Sequence, residues 1–550
     1  MMICRLNTRI CNLLMLLSDC KHESNIHMDP SYSHDNLPLA ENNEKRSIKT
    51  FLDFRHPNVS ENPDGKWVSL TSLMYLRRIL NVRVFSFLMG LTVTFVIVAS
   101  YVLMWNNKGL LFTPSPDHFR LGVVLSSKAA AEDSSEKNLL DMNLVVKIIS
   151  SKLEYKPRKV PDEKDVTKTD SHLFSVIPRH FLPGIKSPCW YEEFSGRLNT
   201  DPYKRNLYSL RSNSFSITCE SLRASFREHL QHRDGKLFRL RCLPFFYIIG
   251  QPKCGTTDLF HRLLSHPEVK FNTVKEPHWW TRKRFGYIRF RDGMQEKFTV
   301  KDYLDLFDWA AFNIQRAISG NSSGDHPSLQ FTTGEASAST MWDNQFWSYL
   351  HPEETETEPP FLAQDFIHAV QPGAKIIIML RDPVERLYSD YLYFKTVNKS
   401  AEDFHKKVVE SVQLFQFCLS ERSLRSCVYS SSLFNTMQVR LTLGMYIVFL
   451  LDWLTVFHRE QILVLRLEDY SANLKETIKK VFDFLSLGPL SEKAQAALTD
   501  VPMSNTRRVQ DRDLGPMLPA TRDLLRKFHQ PFNRKLAILL NNKAFLWSNT

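Results

Sequence analysis

The chain has 550 residues, 43% of them hydrophobic, with 71 Lys and Arg against 59 Asp and Glu for a net charge of +12. That length can hold several domains, but the composition is uneven and points to one large domain behind a membrane anchor. The basic excess suggests an acidic partner; a luminal placement argues against nucleic acid and leaves anionic glycans, anionic nucleotides or a solvated basic face.

Residues 1–65 are polar and without periodicity, as in a mobile tail. The apolar patch Leu13 to Leu17 is too brief for a signal peptide. Val84 to Trp105 carries no charge. At about 1.5 Å rise per residue it is long enough for a hydrocarbon layer of roughly 30 Å. Lys66, Arg77, Arg78 and Arg83 precede it, against Lys108 and Arg120 after it, so the N-terminus is expected in the cytoplasm and the bulk of the chain in the lumen. The expected organisation is a cytoplasmic tail (1–83), a signal anchor (84–105), a luminal stem (106–170) with helical pieces around Leu139 to Leu153, an N-terminal luminal extension (171–237) and a catalytic domain (238–550).

In an oxidising lumen, Cys418 and Cys427 enclose a short loop and form the best candidate disulfide. No pair has C-x-x-C spacing, so no metal site is expected. Asn321 and Asn398 head glycosylation triplets.

From Phe238 onward, short apolar runs alternate with helical patterns. Phe245 to Ile249, Leu329 to Thr333, Lys375 to Leu380 and Gln461 to Leu467 read as strands separated by crossover lengths of chain. The expected fold is α/β, a mainly parallel central sheet with flanking helices. Ligands of such sheets bind beyond the carboxyl ends of the strands.

The first strand runs into Gly250-Gln251-Pro252-Lys253-Cys254-Gly255-Thr256-Thr257, followed by a helical pattern. A loop at a helix N-terminus offers free N–H groups and a favourable dipole to a phosphate or sulfate. A nucleotide-triphosphate loop places its lysine after the second glycine, whereas Lys253 precedes Gly255. A second junction follows Lys375 to Leu380: Asp382 is placed to cap a helix and Pro383 to start it. Arg381 then stands at the strand end and Ser389 about two turns on; a fork and a hydroxyl converging on one phosphate would use charge-assisted hydrogen bonds.

Between them lies Lys275-Glu276-Pro277-His278-Trp279-Trp280-Thr281-Arg282-Lys283-Arg284. From Lys275 to Arg291 there are six basic residues against the single acid Glu276, which suits a polyanionic sugar chain, with Trp279 or Trp280 placed to stack on a sugar face. A solvated basic loop with a tryptophan core is the alternative.

These elements together resemble the carbohydrate sulfotransferases over residues 238–550, with a P-loop-like sulfotransferase fold. The resemblance implies 3′-phosphoadenosine-5′-phosphosulfate (PAPS) as sulfuryl donor and no metal. It assigns the 5′-phosphosulfate to Gly250, Gln251, Pro252, Lys253, Cys254, Gly255, Thr256 and Thr257, and the 3′-phosphate to Arg381 and Ser389. Related enzymes close the donor site with a basic loop, which makes Arg507 and Arg508 candidate donor residues. Transfer to a hydroxyl needs a proton acceptor and positive charge at the departing phosphate. Glu276 is the expected base, His278 the second choice, and Lys253 the group at the leaving oxygen. Lys275, Trp279, Trp280, Arg282, Lys283 and Arg284 are the expected acceptor residues.

The pattern is most similar to Golgi members, single-pass type II membrane proteins, that sulfate the 6-hydroxyl of N-acetylgalactosamine 4-sulfate in chondroitin and dermatan sulfate. The stretch from Thr333 to Thr340 lacks the lysine that heparan sulfotransferases place at this strand end. The alternatives are a sulfotransferase for another glycosaminoglycan, a nucleotide-triphosphate kinase of similar fold, and a membrane-tethered glycan-binding protein without catalysis.

Overall fold

A computed structural model describes residues 141–548 except 154–156, 271–273, 289–292, 321–329, 348–357 and 396. The expected tail, the span from Val84 to Trp105, the stem up to residue 140, and Asn321 lie outside the described residues. Among the described residues no helix is long and apolar enough to cross a membrane. Asn398 is exposed.

The helical piece expected around Leu139 to Leu153 is α1 (Met142–Lys152), capped by Asp141. Its Val145 and Ile149 are fully buried. Lys152 Nζ donates to the carbonyls of Leu419 and Arg422, so this end of the stem is part of the folded unit.

Three strands that carry no clear sequence signal form an antiparallel sheet in the order β1 (Cys189–Glu193), β3 (Lys236–Cys242), β2 (Gln231–Arg233). Cys189 stands opposite Cys242 in this register and is joined to it by a disulfide. The expected Cys418–Cys427 bridge is also present, whereas Cys219 and Cys254 are free and buried.

The central sheet has four strands: β4 (Phe246–Gly250), β5 (Gly334–Ala336), β6 (Lys375–Leu380) and β7 (Ile462–Arg466). Their order is β5-β4-β6-β7 and every pairing is parallel. In β6, Ile376 through Leu380 are completely buried. Each such side chain contributes roughly 1.5–3 kcal/mol of burial free energy, which is why a continuous apolar run is needed for a strand covered on both faces.

One strand lies further along the chain than the apolar pattern predicts. Within the run from Leu329 to Thr333, Thr332 makes only an isolated bridge to Val269, and the paired strand is Gly334–Ala336. Backbone pairing to β4 decides this: Phe246, Tyr247 and Ile248 register with Gly334, Glu335 and Ala336. A Cβ on Gly334 would lie 2.4 Å from the Phe246 ring, so the glycine makes room for that aromatic cover.

Two further helices bear on the site: α2 (Thr256–Leu264) and α3 (Pro383–Phe394). The amphipathic α2 buries Leu259, Phe260 and Leu263. In α3, Asp382 accepts from Val384 N at 2.9 Å and Pro383 occupies the first turn, as the sequence predicts.

Candidate active site

The carboxyl ends of three neighbouring strands carry the residues singled out by sequence. Beyond β4, the chain turns through Pro252 to Gly255 into α2. Gly255 has φ +85°, and among the described residues no side chain caps the helix it opens. A Cβ there would come within 2.7 Å of Leu467 Cδ1. The turn needs glycine on both counts, and the uncapped N–H groups of α2 suit an anion.

Asp258 in the first turn of α2 is held by Arg262 Nε at 2.7 Å and by Tyr470 OH at 2.6 Å. It also accepts from Ser504 N at 2.7 Å, which pins the loop before Arg507 across α2. Arg262 reinforces this by donating to Val501 O at 2.8 Å. The C-terminal basic segment therefore reaches the first loop. Arg508 donates from Nη2 to Leu392 O at 3.0 Å, at the end of α3, and its Nε pairs with Asp511. Arg507 lies over the Tyr388 ring at 5.4 Å.

Lys253 is half-buried, with Nζ 3.7 Å from the Tyr393 ring centroid. Burial is the main cause that lowers its pKa to about 8; the cations Arg381, Arg508 and Arg440 push the same way, and Asp390 opposes them. A bound anion would reverse the shift, so this cluster is built to be completed by negative charge. Arg381, beyond β6, leans towards the same loop, its Nη1 3.5 Å from Lys253 O. Its carbonyl is fixed by Tyr446 OH at 2.8 Å, and Asp382 N donates to Glu468 beyond β7. Ser389 is half-buried on α3, beside Asp390.

The third group lies along β5. Glu276 N donates to Ala336 O at 2.9 Å, and Glu276 Oε2 accepts from Ala338 N at 2.9 Å. Lys275 pairs with the other carboxylate oxygen. His278 Nε2 lies 3.6 Å from Glu276 Oε2, and its Nδ1 is 2.7 Å from Ser339 Oγ. Lys253, Glu276 and His278 all have left-handed backbones, with φ of +66°, +60° and +51°. Such conformations cost about 1–3 kcal/mol each for non-glycine residues and concentrate where geometry serves function.

Behind Glu276 lies a carboxyl that no sequence motif marks. Glu335 is buried in β5, accepting from Tyr303 OH at 3.1 Å. Burial above all, with the charge of Glu276, pushes its pKa up to about 7 from 4.5, against the hydrogen bonds of Ser337 and Tyr303. A folded value above the unfolded one means stability that is full below 4.5 and is lost as pH rises through about 7. The loss at high pH is about 3 kcal/mol. Glu335→Gln keeps an acceptor for Tyr303 and removes the charge, so it should flatten the dependence of melting temperature on pH across this window. A variant with the wild-type slope would show that Glu335 is not the titrating group.

The structure corrects part of the expected acceptor set. Trp279 and Trp280 are each 1% exposed, and their indole N–H groups donate to Phe298 O and Tyr303 OH. Trp279 stacks on Tyr303 at 4.5 Å, so both rings are core and no sugar reaches them. Arg284 is buried over Phe366 and paired with Asp170 at 2.7 Å, which closes it to a ligand. Lys283 lies over Phe298 and Tyr208, and burial with Arg211 nearby lowers its pKa to about 8. Lys275 and Arg282 keep an accessible edge. Arg289 and Arg291 lie outside the described residues. Tyr393, which carries Lys253 on its face, and Phe394, edge-on to Tyr393, stand about half exposed. Their position two turns and more into α3 follows no apolar period that would have marked them as surface.

Among the described residues no cluster of His, Cys, Asp and Glu is arranged to hold a metal. A cavity of about 670 Å³ lined by Lys152, Arg158, Arg425 and Lys535 shares no residue with this site. The uncapped α2, Lys253 and the glycine turn fit the phosphosulfate end of PAPS.

Residues 244–515 match the sulfotransferase domain family. Carbohydrate sulfotransferase 15 of mouse is 53% identical over 483 residues, covering 84% of this chain and 86% of that protein. The human protein of the same name is 52% identical over 482 residues, with the same coverage. Among solved structures, a sulfotransferase from Alicyclobacillus acidocaldarius aligns with 55% of this chain and 98% of its own, at 19% identity and a TM-score of 0.36. Identity above one half over most of the length, on a site built around a lysine-bearing anion loop, places this chain in the family of PAPS-dependent carbohydrate sulfotransferases.

Proposed function

We propose that the chain sulfates the 6-hydroxyl of N-acetylgalactosamine 4-sulfate in chondroitin or dermatan sulfate, on the luminal side of a Golgi membrane to which residues 84–105 anchor it. The observation that carries this reading is the convergence of Glu276 from the β5 side and Lys253 from β4 on one end of the sheet, amid a surplus of arginine. The acceptor identity rests on the sequence pattern around Lys275 to Trp280.

PAPS supplies the sulfuryl group: its bond to the 5′-phosphate oxygen breaks as the sugar oxygen bonds to sulfur, and adenosine 3′,5′-bisphosphate (PAP) leaves. Glu276 takes the hydroxyl proton on the carboxylate oxygens that Lys275 and Ala338 N–H orient. Lys253 and the N–H groups of α2 face the charge that grows on the departing phosphate. Arg381 and Ser389 grip the 3′-phosphate, and Arg507 and Arg508 cover the donor from the C-terminal segment. The buried Cys254, its pKa pushed up to about 12 by burial, stays a thiol and supplies no nucleophile.

The test is transfer of labelled sulfuryl by the full chain to desulfated chondroitin, chondroitin 4-sulfate, dermatan sulfate and heparan sulfate, with disaccharide mapping of the product. Label is expected at the 6-position of 4-sulfated galactosamine units. Faster labelling of the unsulfated polymer or of heparan sulfate would overturn the proposed acceptor, and retention of polymer without any label would overturn the catalytic reading.

A further inference from the structure

Two arginines on the acceptor side are each aimed by a buried acid. Arg282 lies one turn beyond His278, its N–H donating to His278 O at 3.1 Å, and its Nε donates to Asp343 Oδ2 at 2.5 Å. Arg440 grips Asp390 with Nε at 2.6 Å and with Nη2, while Arg386 Nη2 donates to the Arg440 carbonyl at 2.9 Å. Asp343 and Asp390 are almost wholly buried, at 0% and 3% exposure. The Arg440 guanidinium rests 4.0 Å from the centroid of the half-exposed Phe394, which packs edge-on against the Tyr393 ring that carries Lys253.

Each acid engages only one edge of its arginine. Among the described residues, both Nη groups of Arg282 and Nη1 of Arg440 make no hydrogen bond, and the side chains keep 16% and 11% exposure. The two charges also repel. Burial lowers the pKa of Arg440, Asp390 opposes that, and Arg386 and then Arg282 add to the lowering; Arg440 in turn adds to the lowering at Lys253, again against Asp390. Cations therefore run from the Glu276–His278 turn across to Lys253. Arginines fixed along one edge by a buried acid keep their remaining donors for an anion that arrives at the open edge. The donor has its own anchors on α2 and at Arg381, so that anion belongs to the acceptor. In a 4-sulfated galactosamine the existing sulfate is on the ring carbon next to the one that bears the reacting CH₂OH arm, so it stays close to the reacting oxygen.

We infer that Arg282 and Arg440 form the subsite that holds the sulfate already present on the acceptor sugar, and so set the preference for a sulfated galactosaminoglycan. This rests on the proposed acceptor. A lysine at either place keeps the charge but loses the planar fork that can grip an acid and a sulfate together. Arg282→Lys and Arg440→Lys, made in the full chain, are assayed on chondroitin 4-sulfate and desulfated chondroitin, with PAP affinity measured by calorimetry. The ratio of kcat/KM values for the two acceptors should fall about tenfold in each variant, with PAP affinity at the wild-type value. An unchanged ratio, or a matching loss of PAP affinity, would overturn the subsite. Should the wild type itself prefer the unsulfated polymer, the proposed acceptor fails. Binding of a chondroitin 4-sulfate hexasaccharide to the PAP-loaded protein then judges the subsite alone: it stands if both variants bind about tenfold more weakly and falls if they bind as the wild type does.

Discussion

Lys253→Ala is expected to lower the turnover of sulfuryl transfer by about 10²–10³-fold while the protein stays folded. The lysine emerges from the turn between β4 and α2 and makes no ion pair among the described residues; its Nζ rests on the face of Tyr393. Asp390, the acid that raises its pKa, is already held by Arg440 and Arg386, so truncation strands no buried carboxylate. What disappears is a cation beside the anion loop that no carboxylate of the described residues holds. Burial above all lowers its pKa to about 8, and an anion at the loop would push it back up. Turnover at saturating PAPS and acceptor, read beside a melting curve, checks the expectation. Near-normal turnover would remove Lys253 from the leaving oxygen.

Glu276→Gln should cost about 10²–10⁴-fold in turnover, the usual contribution of a positioned base. The amide oxygen of glutamine can still accept from Ala338 N, which keeps the left-handed turn at residues 276–278 in place. PAP affinity should be unchanged, because the donor anchors lie on β4 and β6 and Glu276 on the far side of β4, along β5. A Glu276→Gln enzyme with wild-type turnover, paired with a dead His278→Ala enzyme, would move the proton to the imidazole that lies 3.6 Å away.

The two junctions were legible in the sequence because they obey strong local rules. Ile376 to Leu380 is apolar without interruption, as a strand covered on both faces must be, and Asp382-Pro383 states where the helix begins. The strand Gly334–Ala336 was not, since glycine, a buried glutamate and alanine carry no β signal; their place is set by registry with Phe246 to Ile248. Composition also misled at Lys275 to Arg291. A basic, tryptophan-rich run reads as a glycan surface, yet the two indoles and Arg284 turn inward because Tyr303, Phe298 and Asp170 supply partners distant in sequence. Arg440 had no signal at all, because its partner Asp390 is fifty residues earlier and meets it only across the folded α3.

The central claim is that Lys253 and Glu276 act on one transition state from opposite sides of one site. Its most direct measurement is a double-mutant cycle on turnover with the wild type, Lys253→Ala, Glu276→Gln and the double variant, each checked for PAP binding and melting temperature. Groups that serve the same step are strongly non-additive, so the double variant should lose far less than the product of the two single losses. A loss equal to that product would place the two residues in separate events and contradict the account.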